Sequence, residues 1–145
     1  MKIVNEMNIN FASKSINESF ARSVVSAFVL NLDPTINELA DIKTAVSEAV
    51  TNSIVHGYKM EDGTIYINGK ITDKNKVILK IRDRGCGIED IEKAMEPLFT
   101  TAPEEERAGL GFAVMQSFMD KVKVSSAPGK GTTVTMEKTI IPRKR

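Results

Sequence analysis

The stretch Ser47-Glu48-Ala49-Val50-Thr51-Asn52-Ser53-Ile54-Val55-His56-Gly57 decides how the rest of the chain is read. Glu48, Asn52 and His56 recur every four residues in a run that is otherwise small and apolar. Four residues of α-helix advance the azimuth by only about 40° beyond a full turn, so a carboxylate, an amide and an imidazole share one polar stripe. Leu39, Ile42, Val46, Ala49, Val50 and Ile54 form the opposite, apolar stripe at helical spacing. Such a polar stripe is either a solvated helix face or a small hard-oxygen site suited to magnesium and a nucleotide phosphate. The remainder of the sequence decides between the two.

Upstream of this helix, Met7, Ile9 and Phe11 alternate with polar or small residues as a half-buried strand does. Ser15-Ile16-Asn17-Glu18 reads as a capping box opening a helix to Leu32, with Phe20, Val24, Ala27 and Phe28 on its apolar face. Arg22 lies off the centre of that face and reads as an exposed surface arginine. Asp33-Pro34 breaks the helix, and Thr35-Ile36-Asn37-Glu38 supplies a second capping box. The second helix is expected to stop at Gly57 in the left-handed conformation.

Downstream, Thr64 to Ile71 and Lys76 to Asp83 read as two strands joined around Asp73-Lys74-Asn75. A glycine turn, Gly85-Cys86-Gly87, leads into a short helix from Ile88 to Met95. The polar segment from Glu96 to Ala108 has no hydrophobic period and reads as a mobile loop. Gly109-Leu110-Gly111 then opens a helix from Phe112 to Met119. A last hairpin sets Val122 and Val124 against Thr132, Val134 and Met136 across Pro128-Gly129-Lys130-Gly131. No repeat or linker interrupts this order, so residues 1–145 form one domain. Its class is α+β, a two-layer α/β sandwich with helices on one face of a mixed, mostly antiparallel sheet.

Composition narrows the function. The 145 residues carry a formal net charge of +1, too little for a broad nucleic-acid surface. Cys86 is the single cysteine, so no intrachain disulfide forms and a reducing, cytoplasmic setting follows. Neither a signal peptide nor a run long enough to span a bilayer is present, so no membrane is involved.

Asp83-Arg84-Gly85-Cys86-Gly87 places a carboxylate and two flexible backbone positions at a strand end. The aspartate either caps the turn or accepts a hydrogen bond from an exocyclic amine of a flat ligand. A dinucleotide fingerprint fails, because Asp90 stands where its third glycine would be. Gly109-Leu110-Gly111 is either a hinge or a phosphate-binding helix start. Gly129-Lys130-Gly131-Thr132 is no P-loop, since glycine rather than serine or threonine follows the lysine.

The order of these boxes resembles the GHKL (Bergerat) ATP-binding fold of Hsp90, DNA gyrase, MutL and histidine kinases, from about Thr35 to Met136. Asn17-Glu18-Ser19-Phe20-Ala21-Arg22, Ser47 to Gly57, Pro97-Leu98-Phe99-Thr100-Thr101 and Gly109-Leu110-Gly111-Phe112 are similar to the switch-kinase group, small anti-sigma serine kinases of sporulating bacteria. The resemblance implies ATP and Mg²⁺ as cofactors, with Glu48 as general base and Asn52 on magnesium. It implies that Asp83 reads the adenine amine, with Thr132 nearby and Gly85 and Gly87 shaping the pocket. Gly109, Leu110 and Gly111 would contact phosphates, and the loop from Phe99 to Ala108 matches the ATP lid, with Thr100 and Thr101 in it and Arg107 approaching the terminal phosphate. It gives Arg22 a second reading as a partner contact. The implied partners are a sporulation sigma factor of the sigma-F type, inhibited in an ATP-dependent manner, and an anti-anti-sigma protein phosphorylated on serine. A homodimer is also implied. A stress-response (sigma-B type) kinase, a nucleotide-gated binding module without catalysis and a detached histidine-kinase catalytic domain are the other readings. His56 is the one histidine, at a helix end, and reads as structural or pocket-lining.

Overall fold

The computed structural model describes residues 1–95 and 111–142. Its elements are β1 (Ile3–Ala12), α1 (Ile16–Val29), α2 (Ile36–Asn52), β2 (Thr64–Thr72), β3 (Lys76–Asp83), α3 (Ile91–Met95), α4 (Phe112–Phe118), β4 (Lys121–Ser126) and β5 (Thr132–Thr139). The strands form one sheet in the order β1-β2-β3-β5-β4. Every described pair is antiparallel, so the parallel component allowed by the expected mixed sheet is absent among them. No helix among the described residues is long and apolar enough to cross a membrane.

Strand periodicity sorts the two faces. Ile65, Ile67 and Ile71 of β2, Val77, Leu79 and Ile81 of β3, and Val134 and Met136 of β5 are buried on one side. Against them pack Ile42, Ala45, Val46, Ala49 and Val50 of α2, with Phe112 and Met115 of α4. Residues between these strand positions are half-buried or exposed and leave the other face open. Burying each large aliphatic side chain stabilises the layer by about 1.5–3 kcal/mol, which sets the register strongly. Val124 therefore faces Val134, as the alternation of the last hairpin requires.

The second capping box forms as read: Glu38 N–H donates to Thr35 Oγ1 (3.0 Å) and Thr35 N–H to Glu38 Oε1 (2.8 Å). Burial tends to raise the Glu38 pKa, but hydrogen bonds from the Thr35 and Ile141 N–H groups outweigh it and hold that carboxyl below its ordinary value.

Three local expectations fail, each for a physical reason. Ser15 makes no side-chain cap bond and is already helical, because Glu18 is drawn to α2, where Thr51 Oγ1 donates to its Oε1. The buried face of α1 is Ala21, Val25, Phe28 and Val29, one position on from that expected, and Phe20 is half exposed with its edge on Phe11. The left-handed residues after α2 are Lys59 and Met60, not Gly57. A π-turn, Ser53–Gly57, intervenes and carries the chain under the end of β3.

Candidate functional site

The π-turn and the glycine turn after β3 interlock. Cys86 N–H donates to Gly57 O (2.8 Å), and a Cβ on Gly85 would collide with that same carbonyl. Gly57 is needed for the same close approach, since a Cβ there would sit 2.9 Å from Asp83 Oδ2. Tyr58 OH bridges the two segments, accepting from Arg84 N–H (2.7 Å) and donating to Thr64 O (2.6 Å).

This crossing buries Asp83 to 4% exposure without leaving it unpaired. Ser53 Oγ donates to Oδ2 (2.9 Å), while Gly85 N–H (2.9 Å) and Thr132 N–H (3.3 Å) reach Oδ1. A carboxylate has about four acceptor sites, and three donors leave capacity for one more. Asp83 therefore closes the Gly85 turn, as the first of its two readings held, and has acceptor capacity left over. The cavity beside it measures about 250 Å³, with Ala49, Ile88 and Val134 as apolar walls and Asn52, His56, Gly87 and Thr132 around it. Thr132 Oγ1 shares a 2.8 Å hydrogen bond with Ser126 Oγ. Apolar walls beside a carboxylate acceptor are chemistry that suits a purine carrying an exocyclic amine.

The polar stripe of α2 divides at this point. Asn52 and His56 line the cavity, and Asn52 is buried although its amide bonds to no described residue, which suits an oxygen kept for a ligand or metal. His56 is pocket-lining, as one reading held; its carbonyl accepts from Cys86 Sγ (3.1 Å). Glu48 lies one turn back, half-buried, in a neighbouring groove of about 430 Å³ with Arg22, Lys43 and Ser47. A Cβ on Gly111, which caps α4 at φ 66°, would strike Glu48 Oε2, so the helix start and the carboxylate are in contact. Burial, and then the neighbouring Glu18 carboxylate, push the Glu48 pKa above its ordinary value. A carboxyl raised in this way is a stronger base once ionised.

Arg22 is not the free surface arginine of the first reading: its Nη1 donates to Ser47 Oγ (2.6 Å) beside Glu48. Thr100, Thr101, Arg107, Gly109 and Leu110 lie outside the described residues. Sequence reasoning missed Ser53, the side-chain donor to Asp83, because an ideal helix turns it away from the Asn52 stripe. Its signal was a small polar residue inside a helix that is otherwise buried. It also missed Glu18 as a neighbour of Glu48, having assigned that side chain to a cap.

Residues 11–138 match the family model described as the histidine kinase-like ATPase domain. The chain is 63% identical over 140 residues to the anti-sigma F factor of Thermoanaerobacter sp. (strain X514), covering 97% of each. It is 54% identical over 141 residues to the anti-sigma F factor of Halalkalibacterium halodurans, covering 97% of this chain and 96% of that one. Among solved structures, the RsbU and RsbW domains of a Mycobacterium tuberculosis protein share the fold at TM-score 0.72 and 19% identity, over 98% of this chain and 34% of that one. A nucleotide-free catalytic domain of the histidine kinase ThkA does so at TM-score 0.58 and 18% identity, over 96% of this chain and 99% of that one.

Proposed function

The chain belongs to the anti-sigma F factor family, within the histidine kinase-like ATPase domains, and on that premise we propose an ATP-dependent protein serine kinase that also sequesters a sigma factor. The observation that carries the nucleotide part is the buried Asp83 carboxylate, saturated on the protein side except toward the cavity. Asp83 accepts from the adenine amine, with Thr132 beside it, while Gly85 and Gly87 shape the pocket by letting their turn close against the Gly57 and Ala127 carbonyls. Asn52 would supply one oxygen to magnesium, a hard cation that takes oxygen ligands. Bound ATP would supply the γ-phosphoryl group, its bond to the β-phosphate oxygen breaking as ADP leaves.

Glu48 takes the proton of an incoming serine hydroxyl, which makes that oxygen a better nucleophile. Such general-base help is worth roughly 10²–10⁴ in rate. Gly111 begins the helix that abuts Glu48, so phosphate contacts from Gly109, Leu110 and Gly111 would hold the transferred group near the base. Thr100, Thr101 and Arg107 are assigned to the lid over the phosphates. Arg22, next to Glu48 in the groove between α1 and α2, contacts the protein partner. The partners are a sigma-F-like sigma factor and an anti-anti-sigma protein that receives the phosphate, with the kinase acting as a cytoplasmic homodimer.

Incubation with γ-labelled ATP and an anti-anti-sigma protein tests the reading. Acid-stable phosphoserine on that protein is the expected product. Acid-labile phosphohistidine, or nucleotide-dependent binding without any phosphate transfer, contradicts it.

A further inference from the structure

The sheet face turned away from the helices carries rows of basic side chains opposite the nucleotide cleft. Cross-strand register sets Tyr66, Arg82, Thr133 and Ser125 in one row, and Asn68, Lys80, Thr135 and Lys123 in the next. Arg82 and Arg84 flank Asp83 on β3 and its continuation, so the residue between them points into the core while they point out. Both guanidinium groups gather on one ring, at 4.9 and 5.1 Å from the Tyr66 centroid. They border a cavity of about 530 Å³ closed by Lys130, Ser125 and Thr133.

Lys80, Arg82, Arg84, Lys123 and Lys130 are all exposed, and none is paired with a carboxylate among the described residues. On this face only Lys76 is so paired among them, with Glu137 at 3.1 Å. Cation–π contact stabilises each arginine by about 0.5–1 kcal/mol at an exposed site but leaves their mutual repulsion in place. The formal charge of the whole chain is +1, so this surplus is a local feature of the open face.

We propose that this open face is a second docking surface, which takes an acidic segment of a partner protein. Its carboxylates would seat on Arg82, Arg84 and Lys130 and along the Lys80–Lys123 row, two strand spacings or roughly 9–10 Å apart. Arginine forks match carboxylates in a bidentate manner, and the Ser125 and Thr133 hydroxyls add donors. Single-stranded nucleic acid fits less well, because Tyr66, the aromatic of this face, is already stacked with arginines and offers no free platform for a base. The inference stands independently of the phosphotransfer reading.

Fluorescence anisotropy of the full chain with a labelled glutamate 12-mer tests it, with oligo-dT of the same charge as comparison. The peptide should bind in a salt-dependent manner, more tightly than the oligonucleotide. Affinity should fall at least about tenfold, or about 1.4 kcal/mol, in the Lys80→Glu/Lys123→Glu double variant. Lys14→Glu/Lys74→Glu, with the same change in net charge, should leave it unchanged. In ¹⁵N spectra the peptide should move amides of 80–84 and 121–126 rather than those of α1 and α2. Equal weakening in both double variants, tighter binding of oligo-dT, shifts confined to the helices, or binding of neither probe would overturn the proposal.

Discussion

The two ends of the cleft are built on opposite plans. Around Asp83, two glycine-containing turns cross at contact distance, and three protein donors fix a buried carboxylate. Around Glu48 and Asn52 the carboxylate is half-buried at the junction with α1, and the amide bonds to no described residue. The first end has its carboxylate held in place by the protein alone. The second leaves its polar atoms without such partners among the described residues, which suits the metal, phosphate and hydroxyl contacts of the proposed function. Recognition and chemistry therefore differ in how much of their geometry the protein supplies alone.

That contrast can be broken from either side. The largest effect is expected in Glu48→Gln, where phosphotransfer to the anti-anti-sigma protein should drop roughly 10²–10⁴-fold in a γ-labelled ATP assay. Asp83→Asn keeps the size but loses the charge. ATP affinity by calorimetry should fall roughly 10- to 100-fold, since hydrogen bonds to charged groups are worth about 1.5–3 kcal/mol. Gly85→Ala should cost about 1–3 kcal/mol in chemical denaturation, because the new methyl meets the Gly57 carbonyl and a backbone must shift.

The smallest effect concerns Glu18. Burial, and then the Glu18 carboxylate, hold the Glu48 pKa up, and a base works ionised. Phosphotransfer should therefore fall as pH drops through that raised value. Glu18→Gln removes the second cause, and the acid limb of kcat against pH should move to lower pH. An unmoved limb would show that Glu18 does not act on Glu48.

Most of the architecture was legible because its signals are periodic or punctuated. The Thr35 capping box, the alternation of β2 and β3 and the Val124–Val134 pairing follow from spacing alone. What escaped depends on contacts between elements. Glu18 has a cap within reach, but Thr51 on α2 takes it, and propensity yields to a tertiary partner. Gly57 looked like a helix stop, yet its lack of a side chain serves Asp83, a residue far along the chain that no local pattern connects to it. The boxes Glu48-x-x-x-Asn52 and Asp83-x-Gly85-x-Gly87 marked the helix side and the strand side of the site, with Asn52 and Asp83 lining one cavity and Glu48 in the groove beside it. Their separation into a recognition end and a chemical end, with Ser53 as the hidden donor, required the fold.

The most direct measurement is ATP binding by calorimetry to Asp83→Asn and Glu48→Gln side by side, with magnesium present. The account predicts a loss of tenfold or more in the first and affinity within roughly threefold of the parent chain in the second, because the base is not part of the recognition end. Equal losses in both variants, or normal affinity in Asp83→Asn, would contradict it.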